Sequence, residues 1–139
     1  MPSLWGYQFA ALLQQAWPKT NRNVRRILLK AHTKIMFLDE NNNKFFGEGP
    51  ARLLHAIEEH GSLRTAAGSM NMAYTKALKI IRNAETALGF ALTTRTTGGR
   101  AGGGSQLTPE GKEWLNRYET YRDACIQANQ RLYLEFFPQ

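Results

Sequence analysis

Apolar positions change period several times along the chain, and each change marks an element. Trp5, Phe9, Leu12, Leu13 and Ala16 recur at helical spacing until Pro18 breaks the pattern. Ile35, Phe37, Lys44 and Phe46 then lie in two short strand-like runs around "DENNN". That cluster favours a turn, so the stretch predicts a β-hairpin. Gly49-Pro50 opens a helix, with proline in the first turn, where its missing N–H is not needed. Leu53, Leu54 and Ile57 form the inward stripe of that helix, and Gly61 stops it.

Ser62 is placed to cap a second, short helix in which Leu63, Ala66, Ala67 and Met70 face one way. Asn71 suits the turn that follows, since asparagine tolerates left-handed backbone geometry. A longer helix is predicted from about Ala73 to Leu88, ended by Gly89. "FALTTR" and "SQLT" read as two strands on either side of a glycine-rich stretch, and Thr108-Pro109-Glu110 starts a final helix that runs to about Leu134. The predicted fold class is mainly α with small β-hairpins: a winged helix-turn-helix with a long C-terminal helix. It divides into an N-terminal extension over 1–33, the winged domain over 34–108 and the long helix over 109–139.

The extension carries Lys19, Arg22, Arg25, Arg26 and Lys30 and no acid. It reads either as a basic arm or as a helix packed on the domain. With 139 residues the chain suits one domain with a real core. Its one cysteine, Cys125, leaves no internal disulfide and points to a reducing, cytoplasmic setting. No apolar run approaches the length of a membrane span, and the first residues make a poor signal peptide.

Enzyme chemistry finds little support. The glycine stretch "TTGGRAGGGSQLT" places Gly104 where a nucleotide-binding P-loop needs lysine, and Leu107 where a dinucleotide fingerprint needs its third glycine. His32, His55 and His60 lack metal-ligand spacing: His55 and His60 would point about 140° apart on a helix. No cofactor, metal or small-molecule effector is implied.

Charge changes the picture more. The formal net charge is +7. Between Ser62 and Thr108 the basic residues are Arg64, Lys76, Lys79, Arg82, Arg95 and Arg100, against the single acid Glu85. Around the helix from Ala73, the apolar Ala77, Ile80, Ile81, Ala84 and Leu88 share one sector. Thr75, Lys79, Arg82 and Thr86 fall opposite, with Lys76 and Asn83 beside them. An ordinary solvated face mixes both signs of charge, and this one is free of acids. The expectation is double-stranded DNA, read by this helix in the major groove. Ser62, Arg64 and Tyr74 add backbone contacts, though Tyr74 also suits a core position. A glycine-rich wing tip can bring its backbone N–H groups close to phosphates, with Arg95 at its base and Arg100 at its tip.

The run from "GPARLLHAIEEHG" through "TTGGRAGGGSQLTPEGKEWL" resembles the DNA-binding domain of the ModE family of molybdate-responsive transcription regulators, distant relatives of LysR-type regulators. The resemblance covers about Lys34 to Tyr121, and its most specific parts are "GEG" before the first helix, "GS" before the second and the glycine-rich wing followed by Leu107-Thr108 and Gly111. Ala73 and Leu78 stand where the family usually carries serine and tryptophan, which implies a different base preference. Sensing members carry molybdate-binding domains downstream, so a chain ending at Gln139 is expected to lack that function. In the last helix Trp114, Tyr118, Tyr121, Cys125, Ala128 and Leu132 follow heptad steps. This seam fits either a helix lying on its own domain or, as the resemblance implies, a homodimer contact. The rival to a DNA-binding regulator is a partner-binding module that keeps the fold without specific DNA reading.

Overall fold

The computed structural model describes residues 30–96 and 103–138. The N-terminal apolar helix, most of its basic stretch and Arg100 lie outside the described residues. The chain separates into two compact units, one over Ile35–Tyr121 and one that includes residues 30–34 and 122–138.

The first unit begins with strands β1 (Phe37–Leu38) and β2 (Lys44–Phe46), paired antiparallel with Phe37 opposite Phe46. Their turn is built by Asp39, whose Oδ1 accepts hydrogen bonds from the Asn41 and Asn43 N–H groups at 2.8 and 2.9 Å. Three helices follow: α1 (Glu48–His60), α2 (Leu63–Ser69) and α3 (Tyr74–Leu88). Strands β3 (Thr93–Thr96) and β4 (Gly104–Leu107) form an antiparallel wing with Thr93 opposite Leu107. Helix α4 (Pro109–Phe136) ends two residues beyond the predicted Leu134 and contributes to both units.

The stops are those the sequence predicts. Gly61 and Gly89 cap α1 and α3 with left-handed backbones, φ 67° and 78°, which glycine adopts without a Cβ penalty. Asn71 turns between α2 and α3 at φ 53°. The core is one apolar cluster in which Phe46, Leu53, Leu54, Ile57, Leu92 and Tyr118 are the largest fully buried side chains. Each such side chain stabilises the fold by about 1.5–3 kcal/mol. The predicted inward faces of α1, α2 and α3 all point into this cluster.

The first half of the expected seam on α4 needs correction. Tyr118 is only 2% exposed, and its hydroxyl donates to the Ile35 carbonyl at 3.1 Å. Its ring meets Phe46 and Phe37 edge-on at 4.9 and 5.5 Å between centroids. Trp114 packs partly buried against Phe46 and Phe37, at 5.4 and 5.7 Å. The β1–β2 hairpin is too small to bury its own aromatic face, and the first turns of α4 cover it. Trp114 and Tyr118 are therefore core residues of their own domain, whereas Tyr121 is 53% exposed although its ring still reaches Phe37.

In the second unit the end of α4 runs past Thr33, whose hydroxyl accepts a hydrogen bond from the Asn129 side-chain amide. Cys125 and Ala128 are half-buried, and Leu132 is 51% exposed.

Candidate nucleic-acid interface

The candidate interface is assembled from α2, α3 and the wing. Ser62 caps α2 as predicted, its Oγ accepting from the Thr65 N–H at 3.3 Å. That cap occupies one lone pair and leaves the hydroxyl proton able to donate elsewhere. The turn into α3 is tied by backbone bonds from Asn71 to Gly68 and from Met72 to Ala67. Ala73 begins α3 without a side-chain cap.

Helix α3 buries Ala77, Ile81 and Ala84, and Ile80 and Leu88 pack at the edge of the cluster. That choice of inward face turns Thr75, Lys76, Lys79, Arg82, Asn83 and Thr86 outward, and all six are exposed. Arg64 on α2 and Arg95 on β3 are exposed as well. None of these five cations pairs with an acid among the described residues. Three cations of α4 do pair: Lys112 with Glu58 at 3.8 Å, Arg117 with Glu113 at 2.8 Å and Arg122 with Asp123 at 3.0 Å.

Tyr74 is half-buried at the start of α3. The Arg64 guanidinium lies over its ring, 4.7 Å from the centroid, and Arg95 Nη2 donates to its hydroxyl at 3.4 Å. The structure thus brings Arg64, Tyr74 and Arg95 together from three elements.

Two features were not anticipated in sequence. Glu85, the lone acid of the segment, is not a surface charge in the usual sense. Its Oε1 accepts from the Leu92 and Thr93 N–H groups at 2.8 and 3.2 Å, fixing the start of β3 to α3. Its isolation among cations was the available signal. Gly104 serves packing as well as tip geometry. A Cβ there would sit 2.7 Å from the Gly61 carbonyl oxygen and 2.6 Å from Thr96 Oγ1, and the Ser105 N–H donates to that same Gly61 oxygen at 2.8 Å. The wing is thereby held against the turn that links α1 and α2.

His55 Nε2 bonds Glu119 Oε1 at 2.7 Å, linking α1 to α4, and no cluster of three metal-binding side chains occurs among the described residues. No helix among the described residues is long and apolar enough to cross a membrane.

A hairpin, two helices joined by a tight turn, a basic third element of helix and a two-stranded wing define a winged helix-turn-helix, with α3 in the recognition position. Residues 51–112 match the family model of the bacterial regulatory helix-turn-helix proteins of the lysR family. The chain is similar to the molybdenum transport protein ModE of Azotobacter vinelandii, 33% identical over 101 residues, which cover 70% of this chain and 37% of that protein. It is also similar to the ModE of Herbaspirillum seropedicae, 38% identical over 63 residues, covering 45% of this chain and 23% of the relative. The matched part of the chain thus spans little more than a third of the longer-matching relative. Among solved structures it resembles the CbnR DNA-binding domain in complex with DNA, at 20% identity and a TM-score of 0.47, covering 60% of this chain and 90% of that one.

Proposed function

We propose that the chain is a DNA-binding transcription regulator that reads duplex DNA with α3 and grips its backbone with α2 and the wing. The observation that carries this is the exposed face of Thr75, Lys76, Lys79, Arg82, Asn83 and Thr86, which holds no acid, while Glu58 of α1 and Glu113 of α4 pair with cations elsewhere. A major groove accepts one helix, and long cations and amides at mid-face reach base edges there. The kinship with ModE relatives and a lysR-type domain supports the same reading.

The roles within the face separate experimentally. Lys79→Ala and Arg82→Ala should each narrow the preference for a selected duplex over a scrambled one, by roughly 1–3 kcal/mol per lost base contact. Arg100→Ala, in the wing sequence between β3 and β4, should weaken both duplexes alike, because backbone contacts carry little sequence information. Binding of each variant to the two duplexes, measured side by side, decides this. A change of preference in Arg100→Ala, with none in the helix variants, would reverse the groove assignment.

The regulator acts as a homodimer in this proposal, through the later half of the α4 seam. Tyr121, Cys125, Ala128 and Leu132 carry that contact, since Trp114 and Tyr118 are committed to the core. Pairing would set two α3 helices on a palindromic site about one turn of DNA apart. Leu132→Glu places a charge in an apolar contact while lying far in sequence from α3. It should turn a dimer into a folded monomer by light scattering, with unchanged helix content by circular dichroism. A wild type that is already monomeric, or a variant that stays dimeric, would exclude this seam.

A further inference from the structure

The geometry points to a single phosphate clamp, in which Tyr74 holds Arg64 and Arg95 in place to grip one phosphodiester of the DNA backbone. This inference rests on the DNA-binding reading above and assigns Tyr74 a positioning role within it.

Three observations converge. The Arg64 guanidinium lies over the Tyr74 ring, 4.7 Å from its centroid, inside the roughly 6 Å reach of a cation–π contact. A guanidinium in a cation–π contact uses its face or edge on the ring and, being exposed, keeps N–H donors for an oxyanion. On the other side Arg95 spends one N–H on the Tyr74 hydroxyl, at a long 3.4 Å, and retains the rest. Tyr74 therefore organises two arginines from α2 and β3 that share no other tie to each other among the described residues.

The electrostatics call for an anion. Two guanidiniums held to one side chain repel each other, and neither pairs with a carboxylate among the described residues. The acid of this segment, Glu85, is engaged by the Leu92 and Thr93 N–H groups. Both arginines are exposed, so a ligand can reach them. A phosphodiester supplies two anionic oxygens, matching two donor forks, and turns the repulsion into a shared attraction. Fixing the forks in advance also lowers the ordering that binding would otherwise require of two long side chains.

The assignment predicts how substitutions combine. Tyr74→Leu removes ring and hydroxyl, and should weaken duplex binding roughly 5-fold, the scale of an exposed cation–π contact plus a weak hydrogen bond. Tyr74→Phe keeps the ring and should weaken binding only about 2-fold. The discriminating readout is the background. In a chain carrying Arg64→Ala and Arg95→Ala, Tyr74→Leu should change nothing, whereas a merely structural tyrosine would weaken binding there by the same factor. Likewise the effect of Tyr74→Phe should vanish in Arg95→Ala and persist in Arg64→Ala, a comparison that stands even if Tyr74→Leu fails to fold. The experiment is fluorescence anisotropy of the full chain on labelled duplex at fixed low salt, with thermal melts as the folding control. Wild-type binding with Tyr74 effects that survive removal of both arginines, or with no Tyr74 effect at all, would overturn the clamp and leave the DNA reading standing. A wild type that fails to bind duplex would remove the DNA reading and the clamp with it.

Discussion

Affinity for duplex DNA should fall by about 10³ between 50 and 200 mM salt, the signature of several phosphates neutralised at once. The segment from Ser62 to Thr108 contains six cations: Arg64, Lys76, Lys79, Arg82, Arg95 and Arg100. If each neutralises one phosphate, log K falls with log salt at a slope of about −0.9 per contact, or about −5 in all. A four-fold rise in salt then weakens binding by about 10³ per protomer, and a dimer on two half-sites would exceed that. Single exposed ion pairs contribute too little for such a slope, at about 0–1 kcal/mol each. A shared phosphate under Arg64 and Arg95 would make it shallower by roughly one contact. The control is Arg117→Ala, whose guanidinium is already paired with Glu113 and should leave the slope unchanged. Titration of one labelled duplex across salt concentrations measures both. A flat response in the wild type would leave the cationic face without its proposed ligand.

What was legible in the sequence was what short-range physics decides. Gly61, Gly89 and Asn71 were readable as stops and turns because left-handed geometry narrows the choice to a few residue types. The stripe of Ala77, Ile81 and Ala84 was readable because a helix repeats its faces every few residues, and fixing that stripe fixes where Lys79 and Arg82 must point. The order of elements then named the fold. The α4 seam shows where this stops. Heptad steps establish that Trp114, Tyr118, Tyr121 and Cys125 share a side of the helix, and say nothing of what covers that side. The answer for Trp114 and Tyr118 lay in Phe37 and Phe46, far back in the chain. The same holds for the candidate site. Arg64, Tyr74 and Arg95 each read as a residue for DNA, but their convergence on one ring depends on the packing of α2 and β3 around α3. Glu85 read as the exception to a basic pattern, and became intelligible only once the Leu92 and Thr93 N–H groups were seen against it.

Gly111 is the point at which the wing's anchoring can be tested through stability, and Gly111→Ala should destabilise the domain by on the order of 3 kcal/mol, the upper end of overpacking. A Cβ at this position would lie 2.2 Å from the Leu92 carbonyl oxygen and 3.0 Å from its carbon, far inside contact distance. Neither side can give way cheaply. The Leu92 N–H is held by Glu85, its carbonyl accepts from the Thr108 N–H at 3.0 Å, and its side chain is fully buried. On the helix side, Thr108 caps α4 by accepting from the Gly111 N–H at 2.9 Å, while its own hydroxyl donates to the Ala91 carbonyl at 2.6 Å. Moving α4 outward would break these bonds and uncover the aromatic contacts of Trp114. The thermal midpoint should therefore drop by more than about 10 °C for a domain of this size. Gly68→Ala provides the opposite sign. Gly68 lies inside α2 with nothing within 4 Å of an added Cβ, so alanine there should stabilise by a few tenths to about 1 kcal/mol through helix propensity alone. Calorimetry of the two variants beside the wild type settles the matter. A Gly111→Ala protein that melts with the wild type would mean that α4 and the Leu92 backbone are not packed as closely as described.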